Sequence, residues 1–161
     1  NRRYTETDIQ NIIQLYNIQI DEYFNISADQ KIAVVLEKPK PTKYNGNIKD
    51  GIHIVYPYVV SKSDVQFIMR ENVISQIKSN AILEHLGCKN TIEDIVDKAV
   101  IQRANWLVYG SGKDASSARY KASTLYNNEM DKLPVPNDKR YFVFLGIEGV
   151  IIIFFLIFYK F

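Results

Sequence analysis

Lys49-Asp50-Gly51-Ile52-His53-Ile54-Val55-Tyr56-Pro57 is a short run rich in β-branched and aromatic residues, closed by a proline. It predicts a strand from Gly51 to Tyr56, with Pro57 stopping it because proline cannot donate to a sheet ladder. Side chains alternate along a strand, so Ile52 and Ile54 share one face and Gly51, His53 and Val55 the other. A histidine flanked by apolar strand residues is more often a satisfied structural group than a ligand. Two neighbours raise the functional alternative. Gly51 lets a ligand approach the backbone closely, and Lys49 brings a positive charge to the same strand end.

Upstream, Ile32 to Leu36 is a second β-branched run, ended by Pro39 and Pro41. The polar stretch Thr42 to Asp50 holds the turn signal Asn45-Gly46, so the two strands predict a hairpin joined by a basic turn. Before them, Thr5 can cap a helix with Asp8 three residues on. Ile9, Ile12, Ile13, Tyr16, Ile20, Tyr23 and Phe24 then recur at helical spacing, predicting a core-packing helix over 5–24.

Downstream, Ser63-Asp64 opens another helical pattern, with Val65, Ile68, Met69, Val73 and Ile77 on one face. It continues, with a break expected near Asn80, to Leu86, where Gly87 is a natural stop. Thr91 caps a short helix or turn. Asn105 to Tyr109 and Arg119 to Tyr126 read as strands, and Pro134 and Pro136 mark a loop. Helices and strands are mixed without regular alternation. That predicts an α+β fold, a mixed or antiparallel sheet flanked by helices.

The 161 residues suit one domain, and 47% hydrophobic with 24% charged residues is ordinary globular composition. A net charge of +2 gives no general attraction to polyanions, so a nucleic-acid site must rest on a local patch. The single cysteine, Cys88, excludes an intrachain disulfide framework and a cysteine-based zinc site. A catalytic thiol at Cys88 would need a base, and only His85 is near in sequence. The chain starts at Asn1 with no charged-then-apolar leader, and reads as cut from something longer.

Two further segments could carry chemistry. Asp94 and Asp97, three apart, would share a face if helical, and hard divalent cations prefer such oxygen ligands. The same spacing also serves helix capping or a solvated face. Gly110-Ser111-Gly112-Lys113 follows a predicted strand and could hold phosphates through backbone N–H groups and one charge, or be a surface turn. It is not a Walker A loop, because Leu107 stands where that motif needs its first glycine.

Taken together, "IAVVLEKPKPT" from Ile32, "KDGIHIVYP", "TIEDIVDKAVIQRANWLVYGSGK" and "YKASTLYN" resemble the archaeo-eukaryotic primase superfamily. The likeness spans most of Ile32 to Asn127 and is strongest to the primase halves of primase–helicases in poxviruses and other large DNA viruses. The resemblance implies a primase-type catalytic core making primers on single-stranded DNA during viral replication. His53 matches the second-motif histidine that contacts nucleotide phosphate, and Lys49 a frequent basic phosphate contact. Asp97 matches the third-motif aspartate that binds a catalytic Mg2+ or Mn2+. Ser111 and Lys113 fall where residues meet the incoming nucleoside triphosphate. Lys38, Lys40, Lys43, Arg103, Arg119 and Lys121 are candidates for template or primer backbone contacts. The first motif, Asp-x-Asp on a strand, is absent and belongs just upstream of Arg2-Arg3-Tyr4. In-line nucleotidyl transfer needs a pair of divalent ions, so this stretch alone is expected to polymerise little or not at all. The resemblance further implies a helicase domain on the parent chain and a cytoplasmic viral replication site.

Residues 1–140 are expected to form the partial catalytic domain, and 141–161 a tail that is wholly apolar from Val150 to Tyr159. The tail admits three readings: a frameshifted or truncated end, a buried element of the sheet or helix layer, or a membrane anchor. The anchor reading is weakened by Glu148 within the span. Two other functions compete with the primase: an inactive nucleic-acid-binding remnant of one, and a membrane-anchored interaction protein.

Overall fold

The computed structural model describes residues 1–102, 119–137 and 150–160. Helix α1 (Glu6–Tyr23) begins where the capping signal predicts. The Asp8 backbone N–H donates to Thr5 Oγ1, and the Thr5 N–H to Asp8 Oδ2 (2.7 Å). Its buried stripe is Ile9, Ile12, Ile13, Tyr16 and Ile20, whereas Tyr23 at the last turn is partly exposed.

The sheet is antiparallel at every described pairing. Its strands are β1 (Ala33–Glu37), β2 (Thr42–Tyr44), β3 (Asn47–Val60), β4 (Val96–Asp97), β5 (Lys121–Tyr126), β6 (Lys132–Leu133) and β7 (Val150–Lys160). Their order is β4-β7-β3-β1-β5-β6, with β2 folded back on the start of β3. Asn45 and Gly46 both have positive φ (46° and 70°), the two-residue turn whose twist suits an antiparallel hairpin. The predicted strand at 51–56 is longer than its sequence signal. β3 begins at Asn47 and passes through Pro57 to Val60. The pairing with β7 is irregular between Tyr56 and Val60, so the missing proline N–H falls in a break of the ladder.

The apolar run 150–160 is strand β7, paired with β3 from Asn47↔Lys160 to Val60↔Val150 and with β4 on its other side. It is thus paired into the sheet. No helix among the described residues is long and apolar enough to cross a membrane.

Helix α2 (Ser63–Ser79) packs beside α1 through Met69, Val73, Ile74 and Ile77. Ile68, expected on that face, is 49% exposed. The helix stops at Asn80, and a 3-10 turn (Glu84–Leu86) ending on Gly87 (φ 57°) follows, as the expected break near Asn80 requires. Two short helices, α3 (Ile92–Ile95) and α4 (Ala99–Gln102), flank β4.

The main core lies between α1, α2 and one sheet face, where Ala33, Val35, Ile52, Ile54, Tyr56, Val96 and Tyr126 are buried. Each such aliphatic side chain contributes roughly 2 kcal/mol on burial. Tyr56 fastens the layers: its hydroxyl donates to Asn17 Oδ1 (2.9 Å) and lies 3.2 Å from the Ile13 carbonyl oxygen. Full burial holds this phenol well above its ordinary pKa. The architecture is therefore α+β, with the helical core on one face of an antiparallel sheet. The opposite face carries a smaller cluster of Val34, Leu36, Val55, Tyr120 and Leu125, to which no described helix contributes.

Candidate functional site

Strand alternation puts Lys49, Gly51 and His53 on that second face, as the sequence pattern predicts. His53 is 3% exposed, and its ring stacks on Tyr120 with centroids 3.8 Å apart and planes 26° from parallel. Lys38, next after β1, places Nζ 5.2 Å from the centroid of the same tyrosine ring. Burial and the nearby Asp50 charge push the Tyr120 phenol up to about 12, so it stays neutral near pH 7.

One row of the sheet links the candidate residues. Ala122 pairs with Leu36, Leu36 with His53, His53 with Phe154, and Phe154 with Asp97. Directly paired residues in antiparallel strands lie on the same face. His53 and Asp97 therefore share a face with β7 between them, their backbones about 10 Å apart at the usual strand spacing.

The sequence reading of Asp94 and Asp97 as one helical face is corrected. Helix α3 ends at Ile95, and Val96–Asp97 is extended. Asp94 serves the Thr91 cap, its backbone N–H donating to Thr91 Oγ1 (3.2 Å). Half-buried Asp97 accepts the Ala99 N–H at Oδ1 (2.8 Å). The position of β4 is set by Arg70 of α2. Its Nε donates to the Val96 carbonyl (2.7 Å) and an Nη to the Glu93 carbonyl (2.7 Å).

The acids beside the site point away from it. Glu37 and Asp50 lie toward the helical side, where Arg2 meets both, at 2.7 and 2.9 Å. Tyr4 donates its hydroxyl to Glu37 Oε1 (2.8 Å), and burial, then the Glu37 charge, raises this phenol. Arg2 offsets part of that carboxylate charge, and among the described residues the second face carries Lys38, Lys49 and the buried His53 together with the carboxylate of Asp97. A polyanion suits such a surface better than a cation does.

The remaining candidates divide. Lys40, Lys43, Arg119 and Lys121 are exposed. Lys121 pairs with Glu37 and so sits one residue off the Ala122–His53 row, on the other face, and Lys43 shares the row of Ile48. Arg103, Ser111, Lys113 and the strand predicted at 105–109 lie outside the described residues. Among the described residues no group of three or more His, Cys, Asp or Glu side chains could enclose a metal ion. Asp97 supplies a single carboxylate, which does not by itself fit a divalent-ion pair.

Cys88 and His85 do not form a catalytic pair. His85 Nε2 lies 3.2 Å from Asp8 Oδ1, and partial burial pushes the Cys88 thiol up, away from the reactive thiolate. Cys88 instead lines a cavity of about 400 Å3 with Ile77, Leu83 and Ile92, among residues that pack with the helical core.

Sequence reasoning missed Tyr120, Arg70 and Arg2. Tyr120 alternates with Ala122 and so was open to placement on one face. Its stack on His53 depends on which strand lies next to β1, which local pattern does not give.

A family model described as the C962R protein N-terminal AEP domain, AEP standing for archaeo-eukaryotic primase, matches residues 1–126. "Putative helicase L207/L206" of Acanthamoeba polyphaga mimivirus is 36% identical over 140 residues, covering 85% of this chain and 15% of the relative. "Putative helicase 121R" of Invertebrate iridescent virus 3 is 22% identical over 142 residues, covering 81% of this chain and 14% of the relative. "Putative helicase 184R" of Invertebrate iridescent virus 6 is 25% identical over 155 residues, covering 82% and 15%. The chain thus spans about 15% of the length of these relatives. No solved structure matches. The family match covers β1 to β5, including the strands that carry His53 and Asp97 and the residue Tyr120 just before β5, and on it the chain belongs to the archaeo-eukaryotic primase domain family of viral primase–helicases.

Proposed function

We propose that this chain is the nucleotide-holding part of a primase-type nucleotidyltransferase that makes primers on single-stranded DNA during viral replication. The parent chain would also carry a helicase domain and act at a cytoplasmic replication site. The observation that carries the reading is the shared row and face of His53 and Asp97. A nucleoside triphosphate lying across β7 could meet both ends of that row. His53 and Lys49 then hold phosphate oxygens by charge-assisted hydrogen bonds. Ser111 and Lys113 add phosphate contacts, and Asp97 gives one oxygen ligand to Mg2+ or Mn2+. Lys38, Lys40, Arg103 and Arg119 bind template or primer backbone, and Lys121, on the face opposite His53, contributes least.

Phosphoryl transfer itself demands that charge on the attacking and leaving oxygens be neutralised by metal ions. Asp97 alone does not hold two ions, so the chain as given binds nucleotide without extending a primer. The test is titration of the chain with ATP and Mg2+, followed by a primer-synthesis assay on single-stranded DNA. His53→Ala and Lys49→Ala should each weaken ATP binding about tenfold, the value of one charge-assisted hydrogen bond. No oligonucleotide should form. Unchanged ATP affinity in both variants would overturn the nucleotide site, and robust synthesis by this chain would overturn the incomplete metal centre.

A further inference from the structure

We propose that Tyr120 is a positioning residue for the triphosphate site, holding the His53 imidazole at the orientation in which its edge meets phosphate. The inference rests on the reading of His53 as a phosphate contact. An imidazole on a strand turns broadly about χ2, because terminal sp3–sp2 torsions have shallow wells. At His53 the neighbouring row position on β1 is Leu36, an aliphatic side chain that imposes no ring plane. Tyr120 supplies what Leu36 lacks. It precedes β5 by one residue, two before Ala122, the Leu36 partner, and its ring crosses to stack on the histidine at 3.8 Å.

The stack covers a face of the imidazole and leaves hydrogen bonding to the ring edge, where both nitrogens lie. Tyr120 is itself held by burial to 7% exposure and by Lys38 Nζ at 5.2 Å from its centroid. The chain of contacts Lys38, Tyr120, His53 therefore runs from the end of β1, across the approach to β5, to the middle of β3. A phenyl ring would serve as well as a phenol for this role, since the stack uses the ring face. An aliphatic side chain of similar bulk would fill the space without fixing the plane.

The test uses the full chain with ATP and Mg2+ as the probe, and the variants Tyr120→Phe, Tyr120→Leu, His53→Ala and the Tyr120→Leu/His53→Ala pair. Tyr120→Phe should bind ATP as the unaltered chain does. Tyr120→Leu should bind several-fold more weakly, and in the His53→Ala background the same change should have no further effect, the signature of a residue that acts through another. If His53→Ala weakens binding and Tyr120→Leu does not, or if the two losses simply add, the positioning role is overturned while the nucleotide site stands. If His53→Ala leaves binding unchanged, the nucleotide site itself falls, and this inference with it. A second measurement needs neither nucleotide nor a folded Leu variant. With only two histidines in the chain, the His53 ring protons are readily assigned by NMR. They should be ring-current shifted in the unaltered chain and in Tyr120→Phe. His53 resonances at the positions of an unstacked imidazole would overturn the proposal.

Discussion

Arg2 Nε lies 2.9 Å from Oδ2 of Asp50, whose side chain is 1% exposed. The same guanidinium reaches Glu37 Oε1 (2.7 Å) and the Lys38 carbonyl (2.8 Å), so one residue near the N-terminus ties the end of β1 to the start of β3. Removing it takes the guanidinium from a buried carboxylate. Arg2→Ala should lower unfolding stability by about 3–5 kcal/mol, the usual effect of breaking one side of a buried pair. Arg2→Lys should recover only part, because a point charge cannot satisfy three acceptors in a fork. Adding Asp50→Asn to Arg2→Ala should return much of the loss. Urea denaturation of the three variants measures this.

Arg70 deserves a similar experiment for a different readout. Arg70→Met takes donors from the carbonyls of Val96 and Glu93. The expected loss is about 3 kcal/mol, from two acceptors left short in a buried setting. Because Val96 precedes Asp97, backbone amide shifts at 97–99 should move while those around His53 stay in place. Equal disturbance at both would mean that Arg70 supports the whole sheet rather than β4.

Alkali should unfold the protein cooperatively. Tyr4, Tyr16, Tyr56, Tyr120 and Tyr126 all have phenol pKa values raised, chiefly by burial, above the ordinary 10.0. For Tyr120 and Tyr126 the values reach about 12. Between the unfolded and folded values the unfolded chain loses protons that the folded chain keeps. The stabilisation is thus fully present below about pH 10 and falls as pH rises, by at most about 1.4 kcal/mol per pH unit for each such tyrosine. Guanidinium midpoints at pH 7, 9 and 11 should be flat over the first interval and drop over the second. Tyr56→Phe should shallow the drop.

Single-stranded DNA binding should depend on salt through the exposed cations. Each phosphate contact removed should reduce the slope of log affinity against log salt by about 0.7. Lys38→Ala, Lys40→Ala and Arg119→Ala are expected to show that change. Lys121→Ala, on the opposite face from the Ala122–His53 row, should show the least. Anisotropy titrations of a labelled oligonucleotide at several salt concentrations distinguish these outcomes, and a slope unaltered in Lys38→Ala, Lys40→Ala and Arg119→Ala would remove the template interface from this face.

The local elements were legible because their causes are local. Thr5 with Asp8, Asn45-Gly46, Gly87 and the 3.6-residue spacing of Ile9 to Ile20 each act within a few residues. The two faces of the strand at His53 followed from alternation alone. Pro57 misled because its effect depends on whether the ladder is regular where it falls, and that is set by pairing with a strand far along the chain. Asp94 and Asp97 misled for a related reason: three-residue spacing means a shared face only if the helix persists, and α3 ends after Ile95. The family resemblance located His53 and Asp97 in the sequence. Their shared row, the Tyr120 stack and the Arg2 and Arg70 anchors are products of tertiary pairing.

Among the described residues, strand β4 enters the sheet through β7 alone, with Val96 on Phe155 and Asp97 on Phe154. A stretch far downstream of β3 therefore fills an inner slot. During synthesis β3 would leave the ribosome with one edge unpaired and wait for residues 150–160, roughly ten seconds at translation rates of 5–20 residues per second. Until then Asp97 has no place in the sheet. A nascent chain stalled before Val150 should expose the β3 edge to chaperones or to another copy, and would hold His53 without the carboxylate that lies across from it.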